Sequence, residues 1–197
     1  MNYLAHIFLS GTDTQLRIGN FIADSVRGKD YLTSYPSRVA QGITLHRHID
    51  TFTDTHAVVK KSKDLIRSEY GHWSSVIVDL YYDHFLAANW ADFHEVPLAI
   101  YVQDFYKDLN SHVTILPQRV QKFLPIMVEQ NWLKNYATVE GISHIFYQMN
   151  HRTKNRSKMN FAPIELVKHY DEMETHFRVF FKDLQGYVQQ EVTRLDA

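Results

Sequence analysis

Across residues 163–195, Val167, Tyr170, Met173, Phe177, Phe180, Leu184, Val188 and Val192 recur at steps of three and four residues. That period returns an apolar side chain to one face of a helix every turn, so the segment predicts a long amphipathic helix that must pack against something. The same spacing appears upstream. Leu16, Ile18, Phe21, Ile22 and Val26 predict a short helix over residues 14–26, with Gly28 placed to end it. Val39, Ile43, Leu45, Ile49 and Phe52 predict a second that could continue through Val58, with Ser37 as a possible N-cap. After a break at Gly71, residues 73–90 read as a mostly buried helix, and residues 100–109 as another. Pro117 and Pro125 punctuate a middle stretch whose structure the pattern does not assign. No alternating β-branched run bounded by hairpin turns and no internal repeat is present. The expectation is an all-α fold, a single-domain helical bundle spanning residues 1–197.

Composition narrows the function classes. A formal net charge of -1 supplies no global field for nucleic acid or an anionic membrane, so neither partner is expected and an anionic substrate would need a local patch. The absence of cysteine removes disulfides and thiolate metal sites, leaving N and O ligands, and is compatible with a reducing cytoplasm. The opening MNYLAHIFLSG has no basic n-region, and no window approaches about 18 uninterrupted apolar residues. Export and membrane insertion are therefore not expected.

Chemistry-bearing residues cluster in the first 84 positions. In GITLHRHIDTFTDTH, His46, Asp50 and Asp54 are spaced by four, which aligns them on one helix face. This is either a solvated face with ion pairs to Arg47 or a row of ligands. In VDLYYDHF, Asp79 and Asp83 are again four apart beside His84, within an otherwise apolar stretch. Acids there need a basic partner, Tyr hydroxyls or a metal. Asp24 reads as a helix-end hydrogen bonder or a third contributor, and His6, by residue type alone, as a hydrogen-bonded core histidine. Carboxylates with imidazoles and no sulfur suit Mn²⁺ or Mg²⁺, and a divalent ion among them points to phosphate-ester hydrolysis. Residues 150–160, NHRTKNRSKMN, hold four cations and no acid, either a solvated loop or a basic docking patch.

Four blocks in this order, MNYLAHIFLS, GNFIADSVRG, GITLHRHIDTFTDTH and VDLYYDHFLAANW, give the chain a resemblance to the acyl carrier protein phosphodiesterase family, dense over the first 90 residues and looser beyond. The resemblance implies a fold distantly related to HD-domain phosphohydrolases. It also implies a Mn²⁺-dependent reaction, with Mg²⁺ or another divalent ion possible, in which activated water attacks the phosphodiester and removes 4'-phosphopantetheine from holo acyl carrier protein. It carries Asp24, His46, Asp50, Asp79 and Asp83 over as metal-site positions and His6, Arg47 and His84 as catalytic ones. Arg27 and Asp54 are then expected to face the phosphodiester, and Arg152 and Arg156 the acidic carrier. Two positions depart from the pattern. Phe8 stands where the family commonly shows a second histidine, and His48 where Arg or Lys is common. Two other readings compete: a phosphohydrolase of a nucleotide or other small phosphodiester, and a non-catalytic helical binding protein. Against the nucleotide, no glycine-rich phosphate loop is present.

Overall fold

The computed structural model describes residues 1–196, and the elements run α1 (Tyr3–Leu9), α2 (Thr14–Ile22), α3 (Tyr31–Ser34), α4 (Ser37–Thr55), α5 (Ala57–Tyr70), α6 (Ser74–Ala88), α7 (Leu98–Ser111), α8 (Gln118–Glu129), α9 (Trp132–Asn135), α10 (Val139–Arg152), α11 (Ala162–Lys168) and α12 (Tyr170–Asp196). Among the described residues all regular structure is helical, joined by short 3₁₀ turns. No helix among the described residues is long and apolar enough to cross a membrane.

α6 is the axis of the bundle. Ile77, Val78, Leu80, Tyr81, Tyr82, Phe85 and Leu86 bury residues on every side of it, so α1, α5, α10 and α12 can all pack around it. α12 contributes Phe177, Phe180, Phe181 and Leu184, and Phe177 stacks on Phe85 with ring centroids 5.9 Å apart. A helix enclosed in this way must satisfy its polar groups internally. Tyr81 donates to the Ala162 carbonyl (2.6 Å), and the Tyr82 hydroxyl meets Ser62 Oγ (2.8 Å).

A close backbone approach sets up the site. α2 crosses α4 at Gly19 and Gly42; a Cβ at Gly19 would lie 2.0 Å from the Val39 carbonyl oxygen, and one at Gly42 would lie 2.3 Å from that of Leu16. Only glycine allows this contact. It brings the C-terminal end of α2, with Asn20, and the 3₁₀ turn after it, with Asp24, against the middle of α4.

Several expected boundaries shift. The long terminal helix is two, because His169 leaves helical geometry (φ -112°, ψ 23°) between α11 and α12. Ser37 is the first residue of α4, and Pro36, extended at ψ 142°, occupies the cap position. α4 stops at Thr55, and His56 begins α5 by accepting the Val58 N–H on Nδ1. Residues 14–26 form a helix only to Ile22, followed by a 3₁₀ turn over Ala23–Ser25. Pro125 sits inside α8 and does not break it.

Candidate metal centre

Two helices supply one group. α1 supplies His6, and α4 supplies His46 and, one turn later, Asp50; one ligand atom from each lies within 4.8 Å of the others. The two imidazoles are stacked, with centroids 3.9 Å apart and planes inclined by 17°. His46 Nε2 lies 3.1 Å from Asp50 Oδ2 and 3.3 Å from Asp24 Oδ1, while His6 Nε2 lies 3.3 Å from Asp50 Oδ1. His46 and Asp50 open into a cavity of about 320 Å³ that Asp24, Thr53, Asp54, Ser75 and Asp79 also line, and His6 lies behind them.

The orientation of His46 comes from α2. Its Nδ1 lies 2.8 Å from the Asn20 carbonyl oxygen and 3.2 Å from Asn20 Oδ1. A carbonyl can only accept, so Nδ1 carries a proton and Nε2 faces the carboxylates. Asn20, fully buried, also donates through Nδ2 to the His6 carbonyl (3.0 Å) and to Ser10 Oγ (2.9 Å), and Ser10 donates to the same His6 carbonyl (2.9 Å). One amide thus fixes both imidazole-bearing segments. Neither Asn20 nor Ser10 stood out in the sequence, although an asparagine between Ile18 and Phe21 on an apolar helix was a signal of a buried polar contact.

Electrostatics divides the two imidazoles. Burial opposes the His46 imidazolium, but the hydrogen bonds with Asp24 and Asp50 outweigh it and raise its pKa to about 9. His6 is lowered by burial and by the neighbouring His46 charge. Burial would raise Asp50, yet its hydrogen bond with His46 and the adjacent His6 imidazole hold it well below the usual carboxylate range, and Asp24 is lowered mainly by its hydrogen bond to His46. In protein atoms alone the group is therefore a carboxylate–imidazolium cluster beside a neutral histidine. Both ring nitrogens of His6 are buried without a well-formed hydrogen bond. A divalent ion would resolve this arrangement, because it would replace the shared protons and take up the unpartnered lone pair. Two imidazole nitrogens with carboxylate oxygen are a donor set that could hold a divalent ion.

The other expected site residues are distributed differently. Asp79 borders the cavity but accepts the Met1 α-amino group at 3.0 Å. Asp83 is fully buried below it and does not join the group. Its oxygens accept the backbone N–H groups of Leu4 (2.7 Å), Asn2 (3.1 Å) and Ala5 (3.4 Å), which caps the start of α1. His84 points away, with Nδ1 2.7 Å from the Tyr136 carbonyl and Nε2 3.0 Å from the Tyr170 hydroxyl. Arg47 donates to the Gly28 carbonyl (2.8 Å) and lies over the Tyr31 ring at 4.4 Å, so it ties down the segment after α2. Arg27 is exposed on that segment, and Asp54 pairs with Lys63 at 3.0 Å at the cavity edge. Phe8 packs between Trp90 and Phe181, with centroids at 5.6 Å and 5.7 Å, on the opposite side of α1 from a metal role. His48 turns toward Glu191 of α12 (2.6 Å), so a cation there would not reach the cavity. Arg152 borders a second, larger cleft, and Arg156 is exposed in the turn beyond α10.

Comparison with known proteins agrees with the ordered blocks. A family model described as "Acyl carrier protein phosphodiesterase" matches residues 1–184. Similar curated proteins with the same description include one from Yersinia pestis, 29% identical over 192 residues and covering 96% of this chain and 98% of its own. One from Enterobacter sp. is 30% identical over 182 residues, covering 92% and 94%, and one from Klebsiella pneumoniae is 30% identical over 188 residues, covering 93% and 95%. No solved structure matches the chain.

Proposed function

The chain belongs to the acyl carrier protein phosphodiesterase family, and from that premise we propose that it hydrolyses the phosphodiester joining 4'-phosphopantetheine to the serine of holo acyl carrier protein. The products are the released phosphopantetheine and the apo protein. The observation that carries this reading is the grouping of His6, His46 and Asp50, the last two of which line an open cavity.

We assign His6, His46 and Asp50 to hold a divalent ion, Mn²⁺ first, with Asp24 bearing on His46 from the solvent side. Bound there, such an ion offsets charge on a phosphoryl oxygen and acidifies water. His46 must give up its Nε2 proton on binding, and Asn20 keeps the ring in place while it does so. Asp24, ionised and at the cavity mouth, is placed to accept a hydrogen bond from the attacking water. The water oxygen bonds to phosphorus, its proton passes by way of Asp24, and the serine oxygen leaves with a proton as its bond to phosphorus breaks. His84 lies outside this geometry. Arg47 acts by fixing the segment that carries Arg27, which is the exposed cation three residues beyond Asp24. Arg152 and Arg156 offer cations to an acidic carrier. A carrier-protein substrate accords with a cytoplasmic location.

The test is incubation of the purified protein with holo acyl carrier protein and Mn²⁺, followed by intact-mass measurement of the carrier. Loss of the phosphopantetheine mass is expected. A carrier of unchanged mass, with the enzyme fully loaded with metal, would overturn the assignment.

A further inference from the structure

Beside the metal cavity lies a cleft of about 720 Å³, within the range of roughly 300–1,000 Å³ typical of small-molecule sites. The two share Asn2, Asp24 and Val76 as lining residues, so one leads into the other. Its walls come from α1, α8, α9 and α10, and their chemistry is two-sided. Phe123 and Trp132 are stacked at 6.0 Å, and with Ile145 and Met149 they make a half-buried apolar wall. Arg119, Lys122 and Arg152 line the same cleft, and Asp24 is its single acid. Among the described residues none of the three cations has an ion-pair partner, and Arg152 lies over the Trp132 ring at 5.7 Å. Gln118 and Gln148 add side-chain amides. A wall of this kind fits a flexible, uncharged chain of methyl and amide groups that carries an anion at one end.

We propose that this cleft is the subsite for the pantetheine arm, which lies along Phe123, Trp132, Ile145 and Met149 while its phosphate end reaches Asp24 and the His6–His46–Asp50 group. The inference rests on the reading above, since that reading supplies a substrate in which a pantetheine chain adjoins the scissile phosphodiester. Continuity between cavity and cleft places the two parts of that substrate in the two parts of the site. The unpaired cations draw the anionic substrate in, and the apolar wall selects the arm over a bare phosphodiester. Binding energy from this remote contact would align the phosphorus at the reacting end.

The experiment uses pantetheine, which has neither phosphate nor carrier protein, as a probe of the full chain by ligand-observed NMR and as an inhibitor of holo-carrier turnover. Met149→Trp and Ile145→Trp fill the cleft from two positions, and their folding is checked by unfolding midpoints. Pantetheine is expected to bind the wild type and to inhibit competitively, with binding weakened about tenfold or more in both filled variants. Absence of binding to the wild type, or equal binding to folded variants, overturns the proposal. So does a loss of apo-carrier affinity in the variants as large as the loss for holo carrier, which would make the cleft a surface for the carrier's protein part. A wild type that binds pantetheine through these residues yet leaves holo carrier intact would sink the hydrolase reading and keep the cleft.

Discussion

On α4, His46 and Asp50 turn toward an open cavity and an unpartnered histidine, whereas on α6, deeper in the bundle, Asp83 and His84 turn into the protein and are used up by backbone groups and a tyrosine. In sequence both helices show acids four residues apart near a histidine. The difference is enclosure. α4 has one face at the surface, so its polar row can keep lone pairs for a ligand. α6 is covered on all sides from Leu80 to Ala87, and each polar atom there would cost about 1–3 kcal/mol if left unsatisfied. Asp83 shows the tension directly, since burial pushes its carboxyl up to about 7 against the N-terminal ammonium and three backbone N–H groups. A shared spacing pattern thus yields a polar row facing a cavity on one helix and a helix cap on the other.

The largest effect that could break this contrast is at Asp50. Asp50→Ala should abolish stoichiometric Mn²⁺ binding and cut carrier turnover by about a thousandfold or more, with the protein still folded by circular dichroism. Retained metal binding would move the centre elsewhere. Asp83→Ala should do the reverse, lowering folding stability by about 3 kcal/mol or more in denaturant titration, because it strands three N–H groups at the start of α1. If it instead removed metal from a protein of wild-type stability, α6 would belong to the centre after all.

A pH titration sharpens the α4 side. His46 is raised from 6.5 to about 9, so its ion pairs stabilise the metal-free protein fully below about 6.5 and are lost as pH rises through about 9. The metal must displace that proton, so Mn²⁺ affinity measured by calorimetry should climb about tenfold per pH unit and level off near 9. A pH-independent affinity would remove Nε2 of His46 from the ligand set. The smallest effect is expected at Asn20. Asn20→Ala leaves the backbone carbonyl on His46 Nδ1 but deletes the bonds to His6 and Ser10, so Mn²⁺ affinity should fall about tenfold. An unchanged affinity would show that the backbone contact alone orients the ring.

Local period was enough to make the chain all-helical, because an apolar stripe every three or four residues has no other way to be buried, and four-residue spacing was enough to put His46 beside Asp50. Hydrogen bonding and backbone conformation at single residues decided the boundaries, as at His56 and His169, and these leave little trace in a hydrophobic pattern. The partners across helices came only from tertiary packing. His6 meets His46 because α1 packs on α2, which crosses α4 where Gly19 and Gly42 let two backbones touch, and Asn20 rides on that contact. Asp83 and His84 could be read as ligands until the depth of α6 was known, since burial on all sides is a property of the neighbours and not of the helix itself. Residue type and spacing set which groups were available for chemistry, and the packing of other helices around them decided which kept a free lone pair.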